Sequence, residues 1–229
     1  LDLIKAVLGR ENTTTVSFKD LANNFRAAML EGKLASLAGD ISSQPITDSD
    51  LIKSISAGED ITIEQKYKQA QSKALFSTLF FACNKLPRTP DTSDGFYRRW
   101  CIIPFVANLS NVTRVEGMMF KRDLLSQDSL DYVAYKAVQA IYNVLTTTNE
   151  FAEPQAVKDM LHQYKVDNSA VLSWFRDIHK GDINKIKNLK TGAAYVSFAK
   201  WCEDAGRNRS SQTKFKNSVK ADLGVDLLD

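Results

Sequence analysis

The run Ala74 to Cys83 (ALFSTLFFAC) is apolar almost throughout and is bounded on both sides by polar residues. It is the longest such stretch in the chain and far too short to cross a bilayer as a helix. It offers no polar face to water, so it predicts a strand covered on both faces, as in the middle of an α/β sheet. A sheet covered on both faces needs helices from the chain around it.

The neighbouring patterns supply those parts. Lys33 to Gly39 (KLASLAG) predicts a second short buried strand, and Thr13 to Val16 another. Ile61 and Ile63 alternate with Thr62 and Glu64, which marks ITIEQKYK as a strand or hairpin arm. Trp100 to Val106 reads as a further strand. Leu1, Ile4, Val7 and Leu8 sit at helical spacing, with Gly9 as a stop. A helix is expected over Phe18–Leu30, with Leu21, Phe25 and Met29 on one face and Ser17 and Asp20 close to a capping box. Another is expected from a Thr47 cap through Ser56. From Val115 the pattern turns helical: Val115–Leu125, Leu130–Leu145, Pro154–Tyr164, Ser169–His179, Thr191–Ala205 and Ser211–Leu223. Val225 to Leu228 then begins a strand. The expected organisation is an α/β part over residues 1–114, a helical connector over 115–165 and a small helical module over 166–229.

Composition narrows the chemistry. The chain has 229 residues, 44% of them hydrophobic, enough for a sizeable core. Its three cysteines, Cys83, Cys101 and Cys202, are far apart and have no His at ligand spacing, so neither a disulfide framework nor a zinc site is expected. They read as reduced, mostly buried residues in a cytoplasmic protein. With only His162 and His179 present, imidazole chemistry is not expected.

Ligands of open α/β sheets sit beyond the carboxyl ends of the strands. Asp40 follows KLASLAG, Asn84 follows ALFSTLFFAC, and Arg98 and Arg99 precede the expected third strand. Acid, amide and guanidinium are the groups that hold magnesium, position water and neutralise charge in phosphoryl transfer. Each alone is also an ordinary turn or surface residue.

Their order is more telling. IKSISAGEDITIEQKYK followed by LFFACNKLPRTPDTSDGFYRRWCIIPF resembles the core of superfamily 3 helicases of the phage and plasmid primase–helicase family. The resemblance covers Lys53 to Phe105 and implies part of an AAA+-like ATPase domain with a central sheet. It implies an ATP- and Mg2+-dependent DNA helicase that acts in replication as a hexameric ring in a bacterial host cell, with single-stranded DNA as partner and no membrane. By the same resemblance Asn84 is the sensor asparagine, and one of Arg98 and Arg99 acts in trans on the neighbouring subunit's nucleotide. Asp40 holds magnesium, and Lys66 and Lys68 lie on a hairpin that touches the DNA backbone. Two departures stand out. No Gly-x-x-x-x-Gly-Lys-Ser/Thr occurs, and LDLIKAVLG looks like the remainder of the helix that follows such a loop. The family's paired acids are here Gly39–Asp40. Catalysis by this chain alone is therefore not expected, and a non-catalytic DNA-binding initiator or regulator on a degenerate ATPase scaffold is the alternative.

Residues Asn184 to Lys220 hold nine Lys/Arg against two acids, a net +7 in a chain whose total is +3. Such a concentration is the footprint of a nucleic-acid-binding face. Ala194, Phe198 and Trp201, then Phe215, Val219 and Leu223, are spaced to bury one face each of two helices. Arg207, Arg209, Gln212, Lys214, Lys216 and Lys220 are left to meet single- or double-stranded DNA. The string AYVSFAKWCEDAGRNRSSQTKFKNSVKADLG resembles the winged-helix module that follows the ATPase in the same family.

Overall fold

The computed structural model describes residues 1–21, 23–39, 45–46, 49–108 and 117–228, with the backbone alone at 117–120 and 148. It divides into two compact units, Leu1–Val157 and Lys158–Asp229. The protein is mixed α/β, with a small parallel sheet in the first unit.

In the first unit, α1 (Asp2–Leu8) ends at Gly9, whose φ of 87° turns the chain towards β1 (Thr13–Thr14). Ser17 and Asp20 exchange hydrogen bonds as a capping box: the Asp20 carboxylate accepts from the Ser17 amide at 3.4 Å, and the Ser17 hydroxyl accepts from the Asp20 amide at 3.3 Å. The helix expected over Phe18–Leu30 is broken into α2 (Phe18–Leu21), α3 (Asn24–Ala27) and a 3₁₀ turn, Ala28–Leu30. The cause is Asn23. Its side chain accepts from the amides of Phe25 and Arg26 and starts a new helix instead of continuing the old one. Leu21 is buried, but Phe25 and Met29 are turned out to solvent, contrary to their expected place on one buried face.

β2 (Ala35–Ala38) is buried at all four positions and is the central strand of a parallel sheet ordered β1-β2-β5. Ser36, fully buried, bonds through its hydroxyl to the Val16 amide at 2.9 Å and so ties the end of the β1 segment to β2. Beyond it, α4 (Asp50–Ala57) leads through Gly58 into an antiparallel hairpin of β3 (Asp60–Ile63) and β4 (Gln71–Ala74). The expected Thr47 cap lies outside the described residues.

Ala74 to Cys83 is not one strand. Ala74 closes the hairpin, the chain turns at Leu75 to Ser77, and only β5 (Thr78–Phe81) joins the sheet. Ser77 decides the break: its buried hydroxyl reaches the carbonyls of Leu30 at 2.9 Å and Lys33 at 2.5 Å, bonds that draw the chain out of a continuous ladder. β5 pairs with β2 on one side and is half-buried rather than covered on both faces; Phe81 stacks on Phe18.

The strand expected at Trp100 to Val106 is also absent. Arg98 and Arg99 follow a short helix, α5 (Asp94–Tyr97), and 101–108 have no regular structure, with Ile103, Phe105 and Val106 exposed. A run of apolar residues forms a strand only where a partner accepts its ladder, and Pro104 has no amide to give one. Of the cysteines only Cys202 is buried; Cys83 is half-buried and Cys101 exposed. Helices α6 (Gly117–Leu124) and α7 (Gln127–Asn143), with a π turn at Val144–Thr148, complete the unit. The expected start at Val115 lies outside the described residues.

α8 (Gln155–Asn168) runs into the second unit, where α9 (Ala170–His179), α10 (Thr191–Asp204) and α11 (Gln212–Leu223) close around one core. Trp174, Phe198 and Phe215 are its aromatic centre; Phe215 stacks on Phe198 at 4.6 Å and meets Trp174 edge-on at 5.4 Å. The Val225–Leu228 segment forms a single parallel bridge from Leu228 to Lys190 rather than a paired strand. Among the described residues no helix is long and apolar enough to cross a membrane.

Candidate functional site

The register Ala35↔Thr78 to Ala38↔Phe81 sets the carboxyl ends of β2 and β5 side by side, and the Ala82 amide still bonds to the Ala38 carbonyl at 2.9 Å. Gly39 and Asn84 therefore leave the sheet from neighbouring strands. Asn84 is exposed and makes no hydrogen bond among the described residues. Asp40 lies outside the described residues, and so does its expected part in holding magnesium. Among the described residues no three acids, His or Cys gather to hold a metal ion.

The two arginines, equivalent in sequence, are not equivalent in space. Arg99 donates from Nε to the Ser56 hydroxyl of α4 at 2.8 Å and from Nη1 to the Gly95 carbonyl. Arg98 caps α5 through its amide on the Asp94 carbonyl at 3.0 Å, but its side chain is exposed and has no ion pair or hydrogen bond among the described residues.

The loop before them is anchored by Asp91. Its carboxylate accepts from the hydroxyls of Ser49 at 2.5 Å and Ser93 at 2.6 Å and from the Ser93 amide at 3.0 Å, and it pairs with Lys53 at 2.9 Å. Burial works to raise this carboxyl's pKa, but the Ser49 and Ser93 hydrogen bonds and the Lys53 ammonium outweigh it and hold it far below the usual range. Lys53 is raised in turn, chiefly by its hydrogen bond to Asp91. Nothing in the sequence marks the Ser49–Asp91 pairing across 42 positions as special.

The β3–β4 hairpin carries the expected Lys66 and Lys68 in its connecting loop, both exposed. Its base is fixed by Glu31, which takes the Lys73 ammonium on one oxygen and the Gln65 amide at 2.7 Å on the other. The Lys73 hydrogen bond lowers the Glu31 pKa. Lys68 donates to the Gln65 side chain at 2.7 Å. Between the lysines stands Tyr67, fully exposed and with φ of 65°. Sequence patterning does not single it out, although Lys-Tyr-Lys between two arms is its signal. Beside the hairpin opens a cleft of about 520 Å³ whose walls include Phe25, Met29, Arg26 and Lys66.

In the second unit the cations divide into engaged and open ones. Arg207 lies over the Trp201 ring at 5.5 Å and donates to the Asp167 carbonyl at 2.9 Å, so it braces the fold. Lys220 pairs with Asp226 at 2.9 Å. Arg209 and Lys214 are exposed with no ion pair among the described residues, and Gln212 opens α11. Lys216, half-buried, follows Gln212 by one helical turn on the same side of α11.

A protein-family model described as "Family of unknown function (DUF5906)" matches residues 1–99, which takes in the sheet, the hairpin and the Arg98–Arg99 pair. A comparison with curated proteins finds no match.

Proposed function

We propose that this chain is part of a superfamily 3 helicase-like DNA-replication ATPase, with an AAA+-like partial domain in the first unit and a winged-helix-like DNA-binding module in the second. The observation that carries the reading is the parallel pairing of β2 with β5, which brings Gly39 and the segment leading to Asn84 off the carboxyl ends of neighbouring strands together. That is where an open α/β sheet receives a phosphorylated ligand. Asn84 is free to orient water or a terminal phosphate, and Arg98 is the arginine free to reach a neighbouring subunit's nucleotide in a hexameric ring. Arg99 acts as a strut. Lys66, Lys68, Arg209 and Lys214 supply cations for phosphates of single- or double-stranded DNA.

These residues fit the terminal-phosphate side of a nucleotide only. The chain has no glycine-rich phosphate loop, so no hydrolytic step is assigned to it alone. ATP and Mg2+ belong to an assembly that supplies that loop. Gly39, where the family carries a second acid, favours the other reading, a non-catalytic DNA-binding initiator or regulator.

The test is DNA-stimulated ATP hydrolysis by the whole gene product. Asn84→Ala and Arg98→Ala should each abolish it, and mixing the two variants should restore part, because some subunit interfaces then combine an intact Asn84 with an intact Arg98. Absence of turnover in the unaltered protein, with DNA still bound, establishes the non-catalytic reading instead.

A further inference from the structure

Tyr67 occupies a position that tyrosine rarely tolerates. The turn Gln65 to Lys68 is closed by the Lys68 amide on the Gln65 carbonyl at 3.1 Å, and Tyr67 is its third residue, at φ of 65°. That place in a turn normally falls to glycine or asparagine, since a β-carbon is crowded there. Among the described residues the other two non-glycine residues with positive φ, Asn149 and Lys180, both end helices, where the left-handed form is routine. Tyr67 ends no helix, and its ring packs on nothing that offsets the strain, being 102% exposed. A strained, fully exposed aromatic side chain between two lysines is arranged for something outside the chain.

The adjoining cleft has matching chemistry. Phe25 and Met29 are apolar yet 51% and 42% exposed, because the Asn23 cap swings α3 outward. Arg26 and Lys66 stand on its walls, with Glu64 the only acid there among the described residues and Gln65 beside it. The volume of about 520 Å³ is of ligand size. Apolar and cationic side chains lining one cleft, beside a projecting aromatic ring, together suit a chain of planar rings joined by phosphates.

We propose that the hairpin and cleft bind a single strand of DNA by its bases: Tyr67 stacks on one unstacked base, and the Phe25–Met29 cleft receives a neighbouring one while Arg26, Lys66 and Lys68 hold the phosphates. This rests on the reading that the hairpin touches DNA and adds that it selects single strands by stacking, since duplex bases offer no free face.

Labelled oligothymidylate, the same strand built of abasic sugar-phosphate, and a duplex are titrated by fluorescence anisotropy against the full chain. The series is repeated in an Arg209→Glu/Lys214→Glu background that silences the second unit's open cations. Tyr67→Ala should weaken oligothymidylate about 5- to 150-fold, the loss of one stacked base, with the salt dependence unchanged. Tyr67→Trp should retain affinity, and Phe25→Ala should weaken binding in the same sense. The abasic strand should bind Tyr67→Ala and the unaltered chain alike. Lys66→Ala/Lys68→Ala should lower the slope of log affinity against log salt by about 0.7 for each phosphate no longer neutralised. If that lysine pair leaves affinity and slope untouched, the hairpin does not meet DNA, and both readings of it fall. If the lysines matter but Tyr67→Ala binds oligothymidylate as the unaltered chain does, the stacking proposal alone is overturned. Equal weakening of abasic strand or duplex by Tyr67→Ala overturns it too.

Discussion

Asp91→Asn should loosen the segment that presents Arg98, and its cost can be worked from the groups around the carboxylate. The Asp91 side chain is 16% exposed and receives two hydroxyls, one amide and the Lys53 ammonium. Hydrogen bonds to a charged acceptor contribute about 1.5–3 kcal/mol each, less the cost of desolvating the carboxylate. Asparagine keeps one acceptor oxygen and the side-chain shape but loses the charge. Lys53 keeps Asp50 at 2.9 Å, so no ammonium is stranded. The expected loss is about 1–2 kcal/mol for asparagine and about 2–4 kcal/mol for alanine, which also strands the Ser49 hydroxyl. The sign with pH follows from the depressed carboxyl. Its contribution is fully present above the unfolded value of about 3.9 and is lost as pH falls through the much lower folded value. Urea unfolding followed by tryptophan fluorescence should show the wild-type advantage at about pH 5–7 shrinking steadily below about pH 4. A difference under about 0.5 kcal/mol at neutral pH, or one that persists at full size in strong acid, refutes the account.

Phe215→Ala should cost about 3–5 kcal/mol, because the ring is fully buried between Phe198 and Trp174 and no neighbour can fill its place. Thermal unfolding with loss of protected Trp174 and Trp201 fluorescence measures it, and a loss under about 1 kcal/mol refutes it. Lys214→Glu/Arg209→Glu should weaken duplex binding and flatten its salt dependence by about 0.9 for each phosphate left without its cation, whereas Arg207→Ala should act chiefly through stability, as its guanidinium is spent on Trp201 and Asp167. Anisotropy titrations at several salt concentrations beside urea unfolding separate the two effects.

What was legible in the sequence was local. KLASLAG, the Ile61/Ile63 alternation and the Phe198, Phe215 and Val219 spacings each carry their period within a few residues, and each appears in the fold where expected. The failures turn on partners distant in sequence. Ser77 breaks ALFSTLFFAC because its hydroxyl finds carbonyls more than forty positions earlier. Trp100 to Val106 has the composition of a strand but pairs with no strand among the described residues. Asn23 is the exception: its cap is local, yet an unbroken apolar periodicity over Leu21, Phe25 and Met29 hides it. At the candidate site, residue types could be read but not their engagement. Ser56, 43 positions from Arg99, separates strut from free cation, and only a backbone angle reveals the strain at Tyr67.

The bridge between Lys190 and Leu228 has a mechanical consequence. Leu228 gives its amide to the Leu189 carbonyl at 3.1 Å and takes the Thr191 amide on its own carbonyl at 2.6 Å, so the chain after α11 is buckled to the entry of α10. Tension applied at Leu228 therefore meets this clasp before it can peel α11 from Phe198 and Trp174. Both bonds are made by Leu228 itself, on either side of Lys190, so a pull on it loads the two together rather than one after another. The second unit should resist traction from that end until the clasp fails, and then give way as a whole.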